Sequence, residues 1–127
     1  MDTKIRGIVF PDISRRIMAA AFNVLNTLGC GFLEKVYENA LIIEMGNQGL
    51  RCATQVPYDV VYCNKTVGEY RADIVVEDSV VIELKTVKAI EPVHRAQLMN
   101  YLRASGLKLG VILNFARPKL EFERIVL

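Results

Sequence analysis

Charged residues interrupt two apolar segments in the middle of the chain, and their types suit the binding of a divalent cation. Asp73 lies in the apolar stretch 72–76, and both Glu83 and Lys85 lie in the apolar stretch 80–85. A buried carboxylate is unfavourable unless it is paired or holds a cation. These three side chains therefore predict either an ordinary ion-pair cluster at a strand end or a site for a divalent cation.

The spacing of the two acids bears on this choice. If two strands are joined by the three residues 77–79, Asp73 lies directly across from Glu83 and both carboxylates point to the same face. A two-residue connection would place them on opposite faces. Facing like charges are destabilising, whereas magnesium or manganese between them would be bound by hard oxygen ligands. Lys85 would then lie beside the ion and position water or a phosphoryl oxygen.

Three residues outside these strands are further candidates for the same site. Gln97 and Tyr101 are four residues apart, so they share one face of a predicted helix, and Glu34 lies in the first turn of another. Each also has a plain structural interpretation. A tyrosine beside leucines packs in a core, Gln97 alone carries no information, and an acid near a helix N-terminus stabilises that helix.

The elements that must position these residues follow from hydrophobic periodicity, which predicts an α/β fold with a mixed central sheet flanked by helices. Helices are predicted from an N-cap at Ser14 to Leu28, over Leu33–Gln48 and over Glu91–Ser105. Strands are predicted over Gln55–Cys63, Thr66–Val76, Val80–Lys85, Lys108–Phe115 and Glu121–Leu127. Pro57 places the first strand at a sheet edge. The opening residues 1–11 are ambiguous, with a short extended arm through Ile5, Ile8 and Phe10 as the expectation.

Composition narrows the class of protein. At 127 residues and 52% apolar content, the chain predicts a single domain over 1–127 and excludes disorder. Three cysteines without a C-x-x-C pair and one histidine argue against structural zinc. The net charge of +2 permits a nucleic-acid partner without requiring one. Neither a signal peptide nor a membrane span is expected, which indicates a cytoplasmic protein without a membrane partner.

Several segments, taken in order, resemble one family. The stretch 31–37, GFLEKVY, matches the G-x-x-E-x-x-Y signature of the GxxExxY proteins, and the resemblance continues over about residues 13–127. That family is placed in the PD-(D/E)XK nuclease superfamily, whose restriction-endonuclease-like core has a D…E-x-K motif. Asp73 followed by 83–85 matches this motif. Gln97 and Tyr101 match the Q-x-x-x-Y helix motif of the RecB-like branch.

The resemblance implies a magnesium- or manganese-dependent nuclease that acts on nucleic acid, with DNA favoured. Asp73 and Glu83, with the carbonyl of Leu84, would bind the metal, and Glu34 would add a ligand directly or through water. Lys85 would orient the nucleophile and stabilise negative charge. Gln97 and Tyr101 would position the other side chains or a substrate phosphate. Nearby cations would contact the nucleic-acid backbone; these are Arg71, Lys88, Arg95 and Arg103.

A rival interpretation keeps the fold and removes the catalysis. In it the protein is a nuclease-fold module that binds nucleic acid or a protein partner and assembles as a homodimer. The modest net charge favours this interpretation. The intact set of Asp73, Glu83 and Lys85 argues against it, because a binding module has no need to bury two carboxylates side by side.

Overall fold

The computed structural model describes residues 4–5 and 8–127, with side chains described from Phe10 onward. Its first element is a short antiparallel pair, β1 (Lys4–Ile5) and β2 (Ile8–Val9). This pair takes the place of the extended arm predicted for the opening residues. The parts of that arm at 1–3 and 6–7 lie outside the described residues.

The helices of the described residues match the three predicted ones closely. They are α1 (Pro11–Leu28), α2 (Glu34–Asn47) and α3 (Pro92–Ser105). The predicted cap at Ser14 is wrong, because α1 begins at Pro11, a residue type whose fixed φ suits the first helical position. Ser14 instead lies buried in the first turn, where its Oγ accepts a hydrogen bond of 3.0 Å from Arg124 Nε.

A mixed five-stranded sheet forms the centre of the fold, as the periodicity predicts. Its strands, in spatial as well as chain order, are β3 (Cys52–Tyr62), β4 (Lys65–Val76), β5 (Val80–Lys85), β6 (Leu109–Asn114) and β7 (Glu121–Val126). Only the β5–β6 pair in this sheet is parallel, and α3 connects those two strands. Pro57 lies on β3, an edge strand, as predicted.

Helices cover both faces of this sheet. The larger hydrophobic core contains α1, α2 and inward residues of β4 to β6, whereas α3 packs on the opposite face through Leu98 and Leu102. Every residue of β6 is buried, as expected for a strand covered on both faces. Gly110 lets α3 approach closely, since a Cβ there would lie only 2.6 Å from the Leu98 side chain. The helix that carries Gln97 and Tyr101 is thereby held close to the sheet.

Candidate functional site

The two predicted acids meet where β4 and β5 separate. Main-chain pairing between these strands reaches Ile74 opposite Ile82, and the same register one step further places Asp73 opposite Glu83. At this step, the two carboxylates accept hydrogen bonds from main-chain N–H groups in place of the regular main-chain pairing. The Asp73 N–H donates to Glu83 Oε1 at 3.3 Å, and the Leu84 N–H donates to Asp73 Oδ2 at 2.8 Å. The acids therefore lie on adjacent antiparallel strands with their carboxylates together, as the three-residue connection predicts.

This arrangement disfavours ionisation of both carboxylates. Burial is the main cause that raises the pKa of Glu83 to about 8, and the neighbouring charge of Asp73 raises it further. Burial also raises the pKa of Asp73, although hydrogen bonds from the Leu84 N–H and the Gln55 amide oppose the change. Lys85 favours ionisation of both acids but does not outweigh the burial. Both acids of the pair therefore have a raised pKa.

The residues predicted on α3 reach the same place. Lys85 Nζ donates a hydrogen bond of 3.0 Å to Gln97 Oε1, which joins the end of β5 to the helix. Burial raises the pKa of the Tyr101 phenol to about 12, with further contributions from the charges of Glu83 and Asp73. Gln97 thus contacts Lys85, whereas Tyr101 lies within the influence of the two carboxylates and also packs in the α3 core.

The acid that α2 supplies is Glu38 rather than the predicted Glu34. Glu34 is exposed at the start of α2, and its carboxylate makes no hydrogen bond or ion pair within the described residues. Glu38, one turn further, is only 3% exposed and its charge raises the pKa of Asp73. Glu38 Oε2 lies 2.6 Å from Lys35 Nζ. The structure therefore does not bring Glu34 to the two strand acids, but it brings Glu38.

Gln55 connects the helix acid to the strand acid. Its Nε2 donates to Glu38 Oε1 at 2.8 Å and lies 3.5 Å from Asp73 Oδ1. Gln55 has a left-handed backbone with φ of 51°, and the main-chain pairing of β3 with β4 skips this residue and Asp73. A local irregularity of this kind re-aims a side chain out of the regular strand pattern. It turns the Gln55 amide toward both carboxylates.

The donor chemistry of this cluster fits a magnesium ion. Asp73 and Glu83 supply two carboxylates, and the Leu84 carbonyl lies on the same strand edge as its N–H, which contacts Asp73. Among the described residues, no group of three or more His, Cys, Asp or Glu side chains forms a ready-made metal cage. Magnesium does not need one, because it is commonly held by one or two carboxylates together with waters and substrate phosphates.

The loop between β5 and α3 is fixed by Asn114, a residue that the sequence analysis did not single out. Asn114 is 1% exposed; its Oδ1 accepts from the Val87 N–H at 3.1 Å, and its Nδ2 donates to the Val87 carbonyl at 2.8 Å. Nδ2 also donates to Glu121 Oε1 at 2.9 Å, and that oxygen accepts the Ile90 N–H at 3.0 Å. Asn114 and Glu121 thus anchor the loop that joins Lys85 to α3.

The predicted backbone-contacting cations differ in their surroundings. Arg71 lies 3.1 Å from Glu69, and Arg95 lies 2.5 Å from Glu123, so both are already paired with acids. Lys88 is exposed and lines a groove beside His94 and Arg117. His94 caps α3, where its Nδ1 accepts the Glu91 N–H at 2.9 Å. Arg103 lines a second groove, between α3 and β3.

The comparisons with known proteins agree with this fold. A family model described as PD-(D/E)XK nuclease superfamily matches residues 11–125. The chain therefore belongs to the PD-(D/E)XK nuclease superfamily. No curated protein matches it.

One solved structure with the same fold is the crystal structure of SSO0001. It aligns with a TM-score of 0.57 and 22% sequence identity, over 73% of this chain and 50% of SSO0001. This chain thus spans about half the length of SSO0001, and the likeness concerns the fold. Within the described residues, no helix is both long and apolar enough to cross a membrane.

Proposed function

We propose that this protein is a magnesium- or manganese-dependent nuclease that hydrolyses phosphodiester bonds in nucleic acid, with DNA as the favoured substrate. The observation that carries the proposal is the pair of carboxylates where β4 and β5 separate, with Glu83 buried, Asp73 half-buried and Lys85 nearby. We further propose that it is a GxxExxY protein of the RecB-like branch, on the sequence motifs given above. A cytoplasmic location and a homodimeric assembly complete the proposal.

Three groups would hold the cation: the carboxylates of Asp73 and Glu83 and the carbonyl of Leu84. When bound, the ion supplies positive charge beside the phosphate and makes nearby water more acidic. Glu83 has a pKa of about 8, so near neutral pH it must release its proton before it can act as an anionic ligand. Glu38 adds negative charge from α2 and, with Gln55, holds the Asp73 carboxylate in place.

Lys85 is the residue proposed to act on the reacting groups. Its ammonium would orient the attacking water and stabilise negative charge on the phosphate oxygens. Gln97 accepts one of its hydrogen bonds at 3.0 Å and so fixes the direction of the side chain. Two other ammonium hydrogens remain for water and substrate, because a lysine carries three donors.

The test is cleavage of single-stranded, duplex and branched DNA, and of RNA, with magnesium or manganese, by the parent and two variants. Asp73→Asn removes a charge from the ion site and is expected to lose both metal binding and cleavage. Lys85→Ala keeps both carboxylates and is expected to retain metal while cleavage falls by about 10²-fold or more. Metal binding is read from the melting temperature, which rises with the concentration of a ligand that binds only the folded state.

Two matched controls accompany these variants. Asp78→Asn changes an exposed turn residue with a left-handed backbone, which asparagine tolerates, and Lys108→Ala changes an exposed lysine on another loop. Both controls are expected to cleave as the parent does. Wild-type cleavage by Lys85→Ala would assign the activity to another site. An absence of cleavage on every substrate, with no metal-dependent rise in melting temperature, would favour the binding module.

A further inference from the structure

A groove of about 490 Å³ lies where the loops that follow β5 and β6 come together, and the proposed chemistry does not use it. These strands are the parallel pair of the sheet, and ligands of α/β folds bind outside the carboxyl ends of such strands. The groove is lined by the β5–α3 loop, the start of α3 and one residue of the β6–β7 loop. The residues are Val87, Lys88, Ala89, Glu91, His94 and Arg117.

The groove adjoins the lysine of the carboxylate site. Lys85 ends β5, and Lys88 follows it in the loop. Lys85 Nζ donates a hydrogen bond of 3.0 Å to Gln97 on α3, and His94 lies one helical turn before Gln97. One turn advances a helix by about 5.4 Å, and successive phosphates of one DNA strand are about 3.4 Å apart along the duplex axis. A strand bound at the acids could therefore place a neighbouring phosphate in the groove.

The cations of this groove distinguish it from the groove between α3 and β3, where Arg103 is accompanied by the acid Asp59. Lys88 and Arg117 both line the groove after β5 and β6, and both are exposed. Lys88 has no ion pair within the described residues. Arg117 also lines an adjoining groove, which adds Lys119. Positive charge therefore continues along this end of the sheet.

The acids beside these cations are engaged by the fold. The Glu91 carboxylate accepts the main-chain N–H of His94 in a capping box at the start of α3. Glu121 lies 3.2 Å from Arg117 and accepts two other N–H groups as well, from the amide of β6 and the main chain of the loop. A guanidinium has five N–H donors, so Arg117 keeps others for a ligand.

The donors of the groove are held in place before any ligand binds. The loop that carries Lys88 is fixed on either side, at Val87 and at Ile90, by hydrogen bonds to side chains of β6 and β7. His94 Nδ1 accepts the Glu91 N–H at 2.9 Å, so the hydrogen of the neutral ring is on Nε2 and adds a further donor. Two cations with neighbouring N–H donors suit a phosphate group.

We infer that Lys88 and Arg117 in this groove bind a backbone phosphate of the nucleic acid, one or two linkages from the phosphate at Asp73 and Glu83. The inference rests on the proposed function for the position of the cleaved bond. It adds the path of the substrate, which extends from the acids past the start of α3 rather than between α3 and β3. Phosphate contacts of this kind bind any sequence and fix the register of the strand.

The test measures binding separately from cleavage. Asp73→Asn, expected not to cleave, is titrated with fluorescein-labelled single-stranded and duplex DNA at several salt concentrations, and anisotropy is recorded. Adding Lys88→Gln or Arg117→Gln is expected to weaken binding about fivefold and to reduce the slope of log affinity against log salt by about 0.7–0.9. Arg15→Gln is the matched control, because Arg15 is also an exposed arginine beside a carboxylate, 2.7 Å from Asp12. It should change neither quantity.

A second measurement locates the phosphate. An uncharged methylphosphonate linkage is moved along the strand, and a position one or two linkages from the bond that the parent cleaves is expected to lower the affinity about fivefold. That loss should disappear when Lys88→Gln and Arg117→Gln are combined, because the contact is then already absent. Adding a phosphate to the end of the strand should leave the affinity unchanged.

Three results would overturn the inference. The first is a Lys88→Gln or Arg117→Gln variant that binds like Arg15→Gln. The second is a methylphosphonate loss that persists in the combined variant or falls far from the cleaved bond. The third is an affinity that depends on a terminal phosphate alone, since the groove would then bind the end of a strand and not a linkage within it.

The two proposals fail in different ways. If the methylphosphonate loss depends on Lys88 and Arg117 while the parent cleaves no substrate with any metal, the groove binds a backbone phosphate and the nuclease proposal falls. If the parent cleaves and neither variant changes DNA binding, the nuclease proposal stands and the groove assignment falls.

Discussion

Glu83 and Glu121 are both glutamates of the same sheet, yet their environments have opposite effects on ionisation. Burial outweighs every favourable contact of Glu83 and raises its pKa to about 8. Burial also opposes ionisation of Glu121, but hydrogen bonds from Asn114 and the Ile90 N–H, together with Arg117, outweigh it and lower the pKa. Glu121 has two neutral donors and one cation, whereas within the described part of the chain Glu83 accepts only the Asp73 N–H and is opposed by the charge of the Asp73 carboxylate.

This difference separates a structural acid from a functional one. A polar group that is fully hydrogen-bonded by its surroundings fixes the fold. An acid left with too little positive charge destabilises the protein unless something else supplies that charge. Asn114 and Glu121 belong to the first kind, and Asp73 and Glu83 to the second.

The largest effect on stability is expected from Asn114→Ala. The change leaves the Val87 N–H and carbonyl and one Glu121 contact without their partner in a buried position, and such losses destabilise by about 1–3 kcal/mol each. We expect the free energy of unfolding to fall by about 3 kcal/mol, measured by urea denaturation. Asn47→Ala, at the exposed end of α2, is the control. A loss below about 1 kcal/mol would show that the Asn114 side chain is not what anchors the loop.

The next largest effect is a change in melting temperature, which is expected to have opposite signs for variants of Glu83 and Glu121. Without metal at pH 8, Glu83→Gln should raise the melting temperature by several degrees, since it removes a buried charge next to Asp73. Glu121→Gln should lower it, because Arg117 loses its partner. The comparison fails if the two variants shift the melting temperature in the same direction. Magnesium should stabilise the Glu121→Gln protein but not the Glu83→Gln protein.

The pH dependence of stability follows from the raised pKa of Glu83. The unfolded chain ionises this group near pH 4.5, and the folded protein does so only near 8. Metal-free protein should therefore be most stable below pH 4.5 with respect to this group, and lose that stability as the pH rises to about 8. Thermal melting across this range should show the decline, and Glu83→Gln should reduce it. A metal-free curve unaffected by Glu83→Gln would contradict the raised pKa.

The same pKa predicts that a proton leaves when metal binds. Near pH 7, Glu83 is mostly protonated, so binding magnesium or manganese should release up to about one proton per ion. Calorimetric titration in two buffers of different ionisation enthalpy measures this number. It should fall toward zero above pH 9, where Glu83 is already ionised. An equal release at pH 7 and pH 9.5 would point to another group.

The smallest effect is expected from Glu34 and Glu38, two of the acids of α2. Glu38→Gln should weaken metal binding about fivefold, since it removes a negative charge close to Asp73 while the amide can still contact Gln55. Glu34→Gln should leave metal binding unchanged, because Glu34 is exposed and away from the acids. Magnesium-dependent melting of both variants makes the comparison. If Glu34→Gln weakened metal binding as much as Glu38→Gln does, Glu34 would again be a candidate ligand.

The sequence predicts most of the fold because hydrophobic periodicity marks the strands and α3 directly. The strand Val80–Lys85 has its predicted bounds, since alternation and a short turn define both ends. The site is predicted in part for the same reason. The positions of Asp73, Glu83 and Lys85 depend on strand register, which the three-residue connection sets.

The positions of the remaining site residues depend on tertiary contacts, which leave a weaker signal in the sequence. Glu38 was missed because it lies one turn beyond Glu34 on the same face of α2, and the sequence alone does not show that the core reaches Glu38 but not Glu34. A signal did exist, since Glu38 directly follows Tyr37, which is buried in the core. The left-handed backbone of Gln55 has no such signal. Asn114 could have been noticed as a single amide ending the apolar run 109–113.

The anchoring of the β5–α3 loop by Asn114 has a consequence for the dynamics of the protein. Loop amide hydrogens normally exchange with solvent through small local openings, whereas those of central strands wait for larger unfolding events. The N–H groups of Val87 and Ile90 are held by Asn114 and Glu121, side chains of β6 and β7. Their exchange rates should therefore follow those of the sheet, so that a segment with the sequence of a loop opens only when the strands do.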